Sequence, residues 1–369
     1  MSTPPPILRD LIGQEHVSRF LAAAINQGES SHAYLFHGPK GVGKYDAALK
    51  FAAALCCEND GCGVCPSCEK AARGVHPDVE TIAPVGAFIT VDQVREINRN
   101  LNLRPHESQA RVFIIRGAGR FNAESANAFL KSLEEPPSFV YFLLLADRLD
   151  NILPTIVSRC QTVRFSPVPA AEIESYLLEH YKTSPVVVQA YARASRGNLV
   201  MAKALCGEPG LAERRQRYLQ IGENLGRGAW EGGASQMAAE IMSAAAEAGE
   251  VAEQEEDETV PEGFQVAPKK RREQDAHRRA GQAQRRELHF ALDILETWFR
   301  DMMAMATGAG DTILNRDYEL ELENQALESK LDNYRQALEV IEASRSKLSY
   351  NVELELALQA MFYKLQEVL

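Results

Sequence analysis

The sequence predicts an α/β module with a parallel sheet around a phosphate-binding loop, then a small helical piece and an all-α C-terminal domain. Three observations carry this. Between Ile7 and about Pro167, short apolar runs alternate with helical stretches, the order that a parallel sheet with crossover helices requires. The first run leads directly into a glycine-rich loop ending in lysine. From about Gly210 to Leu369 the apolar spacing is helical and strand-like runs are few.

The candidate strands are Ala33–Phe36, Val79–Ile82, Val112–Ile115 and Val140–Leu145, each a short apolar run closed by turn or polar residues. With 369 residues the chain is long enough for two to three domains. We divide it at 1–167, 168–208 and 209–369. The middle piece holds three helical stretches, AAEIESYLLEHY, PVVVQAYARAS and NLVMAKAL. The last stretch, from Asn333 to Leu369, reads as two helices packed antiparallel. Residues 249–270 read as a disordered insertion, because 249–268 are acidic and hold two prolines. The basic run that follows, from Lys269 to Arg286, is either a nucleic-acid patch or the solvated start of a helix.

Composition bounds the function. The formal charge of −11 argues against a protein that coats nucleic acid over its whole surface, so any DNA contact is local. No apolar run approaches ~18 residues, which excludes a transmembrane helix. The start, MSTPPPILRD, has neither a basic n-region nor an apolar h-region, so a cytoplasmic location is expected.

After Ala33–Phe36 comes Gly38-Pro39-Lys40-Gly41-Val42-Gly43-Lys44-Tyr45, which matches G-x-x-x-x-G-K. Glycines let the backbone curl so that its N–H groups face phosphate oxygens, and the lysine adds a point charge. The following position should carry the Ser or Thr hydroxyl that ligates Mg²⁺; here it is Tyr45, whose phenol lies too far from the backbone. The partner strand, Val112–Ile115, should end in an acidic pair, and it ends in Arg116-Gly117. Magnesium has lost both protein anchors. Gly38, Gly41, Gly43 and Lys44 keep a cradle compatible with nucleotide binding, but hydrolysis by this chain is not expected.

Five of the seven cysteines fall between Cys56 and Cys68. Cys62, Cys65 and Cys68 have C-x₂-C-x₂-C spacing, and Cys56 or Cys57 supplies a fourth thiol. Such a set suits a closed, tetrahedral structural Zn²⁺; the alternatives are unrelated buried thiols or an iron–sulfur cluster, for which no redox-partner signature is present. Cys57 is our choice, because Cys56 continues the apolar face of the preceding helix.

In this order, the elements resemble the bacterial DNA polymerase III clamp-loader subunits, an AAA+ family. The resemblance rests on His32-Ala33-Tyr34-Leu35-Phe36-His37-Gly38-Pro39, the cysteine knuckle after the loop helix, Thr90–Arg95, Asn127–Pro137 (NAFLKSLEEPP) and Ser158-Arg159-Cys160. It is dense over about residues 7–206. It implies an AAA+ module, a helical lid and a C-terminal collar in a hetero-pentameric ring. The implied partners are the tau/gamma motor and delta subunits, the sliding clamp and, through the assembly, primer-template DNA. The family contains ATPase motors and a stator-like member with a decayed site. Tyr45, Arg116-Gly117 and Val200, which stands where motors carry a sensor arginine, place this chain with the latter. The SRC resemblance then implies that Arg159 is an arginine finger acting in trans. Two other classes compete: an active P-loop ATPase, such as a tau/gamma-like motor, and a zinc-dependent DNA-binding regulator. The lost acidic pair argues against the first and the net charge against the second. Polymerase (nucleotidyltransferase) activity would belong to the assembled holoenzyme.

Overall fold

The computed structural model describes residues 4–26, 31–84, 88–228, 232–254, 269–348 and 353–369. In chain order the described elements begin α1 (Pro6–Arg9), α2 (Glu15–Asn26), β1 (Ala33–His37), α3 (Lys44–Cys56), α4 (Pro66–Ala72) and β2 (Val79–Ile82). Next come α5 (Val91–Asn100), β3 (Arg111–Arg116), α6 (Ala123–Glu134), β4 (Val140–Ala146), α7 (Pro154–Val157) and β5 (Gln161–Arg164). The helices that follow are α8 (Ala170–His180), α9 (Pro185–Ala194), α10 (Leu199–Gly207), α11 (Leu211–Arg227) and α12 (Gly233–Gln254). The last are α13 (Lys269–Ala306), α14 (Glu319–Gln325), α15 (Leu331–Leu348) and α16 (Leu354–Val368).

The chain divides into two compact units. One comprises Met1–Lys182 and Ser195–Lys203, the other Thr183–Ala194 and Ala204–Leu369. The segment 168–208, expected as a separate lid, is shared between them.

In the first unit all five strands are parallel, in the order β2-β3-β4-β1-β5. One strand, β4, is inserted between the loop strand β1 and β3, the strand expected to carry the acidic pair. Side chains alternate across it, as a pleated strand demands. Tyr34, Phe36, Val112, Ile114, Leu143 and Leu145 pack with α3 in one core cluster. Leu35, Phe113, Ile115, Phe142 and Leu144 pack with Phe129 and Leu133 of α6 in the other. Both faces are covered, which explains why these strands read as unbroken apolar runs.

The four expected strands are present, each within two residues of its expected ends. The fifth, β5, was not anticipated. Its sequence, QTVR, has only Val163 buried, so it is an edge strand with little apolar content.

The second unit is helical apart from short 3₁₀ turns among its described residues. Its core includes Tyr218, Leu219, Trp298, Phe299, Tyr334 and Phe362, all essentially without solvent contact. The expected C-terminal helix pair is α15 and α16, which pack on one another. The expected insertion at 249–270 begins too early. Residues 249–254 complete α12, where Ala252 is buried, and the basic run from Lys269 lies on α13. Residues 255–268 lie outside the described residues.

Candidate functional site

The phosphate loop leaves β1 at its carboxyl end and enters α3 at Lys44. Two of its glycines are obligatory for steric reasons. Gly38 has φ 149°, and a Cβ there would lie 2.2 Å from the Phe165 carbonyl oxygen. Gly41 has φ 73°, and a Cβ there would meet the Asn198 amide. The loop is held from two sides. Gln14, buried before α2, donates from Nε2 to the carbonyls of Val42 and Ser166. Asn198 accepts from the Met201 N–H at the start of α10, and the Val200 N–H donates to the Gly41 carbonyl.

Lys44 points into its own loop. Its ammonium donates to the carbonyls of Gly38 (2.5 Å) and Pro39 (2.6 Å) and to Asp147 Oδ1 (3.1 Å). An ammonium has three N–H donors, so all three are committed. Burial pushes its pKa down, and the Asp147 carboxylate offsets part of that shift. Asp147 follows the last residue of β4, and sequence reasoning missed it. The signal was there: an apolar run, VYFLLLA, ending in an acid on the strand beside the loop strand.

The two positions that should anchor magnesium are in contact. The Arg116 guanidinium lies over the Tyr45 ring, its Cζ 4.8 Å from the centroid. The Tyr45 hydroxyl lies 3.4 Å from Thr81 Oγ1 on β2. A guanidinium and a phenol whose hydroxyl is turned to Thr81 thus face each other where a short hydroxyl and a carboxylate would be needed. Val200 is 60% exposed and brings no charge to the loop.

Arg159 lies elsewhere. It occupies the turn after α7, two residues before β5. Register fixes which end of the sheet this is. Gln161 pairs with Tyr34 and Arg164 with His37, so β5 begins at the amino end of β1, away from the phosphate loop. Arg159 donates from Nη2 to Glu134 Oε1 at 2.5 Å and from Nη1 to the Thr155 carbonyl at 3.1 Å. Its side chain is 36% exposed and that of Glu134 is 50% exposed. The pair ties the end of α6 to α7.

The cysteine knuckle brings four thiols together. The sulfurs of Cys57, Cys62, Cys65 and Cys68 all lie within 4.8 Å of one another. Cys57 Sγ is 3.8 Å from Cys62 Sγ and 3.7 Å from Cys65 Sγ. Four thiolates around one Zn²⁺ at ~2.3 Å would be spaced ~3.8 Å apart, so the donor set fits that metal. Burial would raise the Cys57 pKa, but N–H groups of Cys62, Asn59 and Gly61 outweigh it and bring the thiol to about 6. Cys56 points the other way. It is buried, its sulfur faces the Ala110 carbonyl, and burial pushes its pKa up to about 12. Beneath the knuckle, Ser67 Oγ lies 2.9 Å from His76 Nε2, and the Asp78 N–H donates to His76 Nδ1. Among the described residues no other group of His, Cys, Asp and Glu gathers in this way.

Residues 13–169 match the family model described as DNA polymerase III, delta subunit. Over 215 residues the chain is 34% identical to the delta′ subunit of DNA polymerase III from Bacillus subtilis, covering 58% of this chain and 65% of that one. Over 210 residues it is 34% identical to the tau subunit from Escherichia coli, covering 54% of this chain and 32% of that one. Among solved structures, a DNA polymerase III gamma subunit-related protein from Thermotoga maritima aligns with a TM-score of 0.46 at 16% identity, over 94% of this chain and 98% of that one. The chain therefore spans less than two thirds of the delta′ relative and about a third of the tau relative.

Proposed function

We propose, from the match of residues 13–169 to the family model described as DNA polymerase III, delta subunit, that this chain is a non-hydrolysing, delta′-type clamp-loader subunit. It helps place a sliding clamp on primed DNA, in a ring with tau/gamma-type and delta-type subunits. It contributes no ATP turnover of its own and gives Arg159 to the ATP site of a neighbour. Its four-cysteine knuckle holds a structural Zn²⁺ through Cys57, Cys62, Cys65 and Cys68.

The observation that carries this reading is the contact between Tyr45 and Arg116. A P-loop ATPase places a metal-binding hydroxyl and carboxylate at these positions, and the metal neutralises charge on the transferring phosphoryl. An aromatic–cation pair does neither. The strand register supports the second half, since Arg159 stands at the sheet end remote from its own loop. A guanidinium supplied to a neighbour's phosphate is worth about 10³–10⁵ in rate in phosphoryl-transfer enzymes.

The test is a ring reconstituted with the tau/gamma and delta subunits and clamp of the same organism. The isolated chain is expected to release no phosphate from ATP. Arg159→Ala is expected to assemble normally and to lower clamp- and DNA-stimulated turnover partially, because only one of several motor sites lies beside it. Normal clamp loading by an assembled Arg159→Ala ring would refute the in-trans role.

A further inference from the structure

We propose that Glu134 is the positioning residue for Arg159: its carboxylate presents the guanidinium to the neighbour's phosphate. This rests on the reading of Arg159 given above.

The pair differs from a chance surface contact, because both partners are fixed by the core. Glu134 is the last residue of α6, whose Phe129 and Leu133 are buried against the sheet. Glu135 then leaves helical geometry, ahead of Pro136 and Pro137, so the end of α6 cannot slide. Arg159 follows α7, a single turn pinned by Ile156, which has no solvent contact. The backbone N–H of Arg159 donates to the Ile156 carbonyl, closing the turn on that anchor.

Charge points the same way. A carboxylate at a helix C-terminus faces the negative end of the macrodipole, so the helix itself does not favour Glu134 there. The stabilising partner is the arginine 2.5 Å away. A guanidinium has five N–H donors in a planar fork. Glu134 and the Thr155 carbonyl take one from each terminal nitrogen, which fixes the plane of the fork and leaves donors for a phosphate. Because both side chains are partly exposed, the pair adds little to folding. Its effect falls on orientation, and therefore on kcat, where a small misplacement of a reacting group is costly.

The test uses the complete ring, with kcat and KM for ATP measured in the presence of clamp and primed DNA. The reference quantity is the part of turnover that Arg159→Ala removes. Glu134→Ala is expected to lower that part about tenfold with KM unchanged. Glu134→Gln keeps an oxygen acceptor for Nη2 and is expected to restore most of it. In a ring already carrying Arg159→Ala, Glu134→Ala is expected to change nothing further. If Glu134→Ala retains the full Arg159-dependent turnover, or lowers turnover equally without Arg159, the positioning role is overturned while the finger stands. If Arg159→Ala itself leaves turnover unchanged, the in-trans reading falls and this inference falls with it.

Discussion

Putting back the lost magnesium anchors is expected to work only as a pair. Consider Tyr45→Thr alone. It restores the hydroxyl, but the Arg116 guanidinium, now 4.8 Å from the Tyr45 ring centroid, stays beside the position the metal would take. A single positive charge about 5 Å from Mg²⁺ costs about 7 kcal/mol at an effective dielectric near 20, and about 2 kcal/mol in bulk water. Arg116 is exposed, so the lower part of that range applies. Losing the stacked ring removes a further ~0.5–1 kcal/mol of cation–π attraction from the folded state. Even the lower figure exceeds a factor of ten in affinity. Tyr45→Thr/Arg116→Asp is therefore expected to show magnesium-dependent ATP binding at least about tenfold tighter than Tyr45→Thr. Binding should remain modest, because phosphate oxygens must draw Lys44 away from Gly38, Pro39 and Asp147. Titration calorimetry with ATP, in magnesium and in chelator, reads the difference. Magnesium-dependent binding by Tyr45→Thr as tight as by the double variant would refute the reasoning. So would magnesium-dependent turnover by the unaltered chain.

Three other outcomes are expected. Metal analysis of purified protein should find one zinc per chain; Cys57→Ser should lose it, whereas Cys56→Ala should keep it and cost about 1–2 kcal/mol in denaturant unfolding by leaving a small cavity. Burial holds the His76 pKa below its usual value, with Lys70 assisting and Glu107 and Asp78 opposing. Below pH 6.5 the unfolded chain therefore takes up this proton first, so stability that is complete above pH 6.5 should fall with pH until the folded-state pKa is passed, and His76→Gln should flatten that slope in melting curves. In the helical unit, Asp301 is fully buried and accepts from the N–H groups of Leu314 and Asn315 and from the Asn315 amide. Asp301→Ala strands those donors and should destabilise the chain by about 3 kcal/mol, with Asp301→Asn milder, both read by denaturant titration.

The parts legible in the sequence are those whose chemistry is local. The phosphate loop needs glycine at Gly38 and Gly41 because a Cβ would strike Phe165 and Asn198, so its residues announce themselves. Central strands buried on both faces announce themselves too. β5 does not, since an edge strand with one buried valine carries almost no apolar signal. The C-terminal limit of α12 was equally hidden: Glu250 and Glu253 made an acidic tract look like a loop, yet the buried Ala252 keeps the helix docked. Spatial pairings were the largest omission. Nothing at Glu134 or Asp147 says that a cation from 25 or 103 residues away will reach it. Arg116 and Tyr45 were read separately as two losses, and only the fold makes them one contact.

The register of β5 on β1 has a consequence for how such a chain can change over time. The loop and the arginine turn are mounted at opposite ends of the same sheet and, among the described residues, have different ionic partners: Lys44 answers to Asp147, Arg159 to Glu134. The stability effects of substitutions at distant sites without common partners usually add, to within about 0.5 kcal/mol. One end can therefore drift under relaxed selection while the other stays constrained; on the function proposed above, that separation would let a chain shed the role of acceptor and keep that of donor.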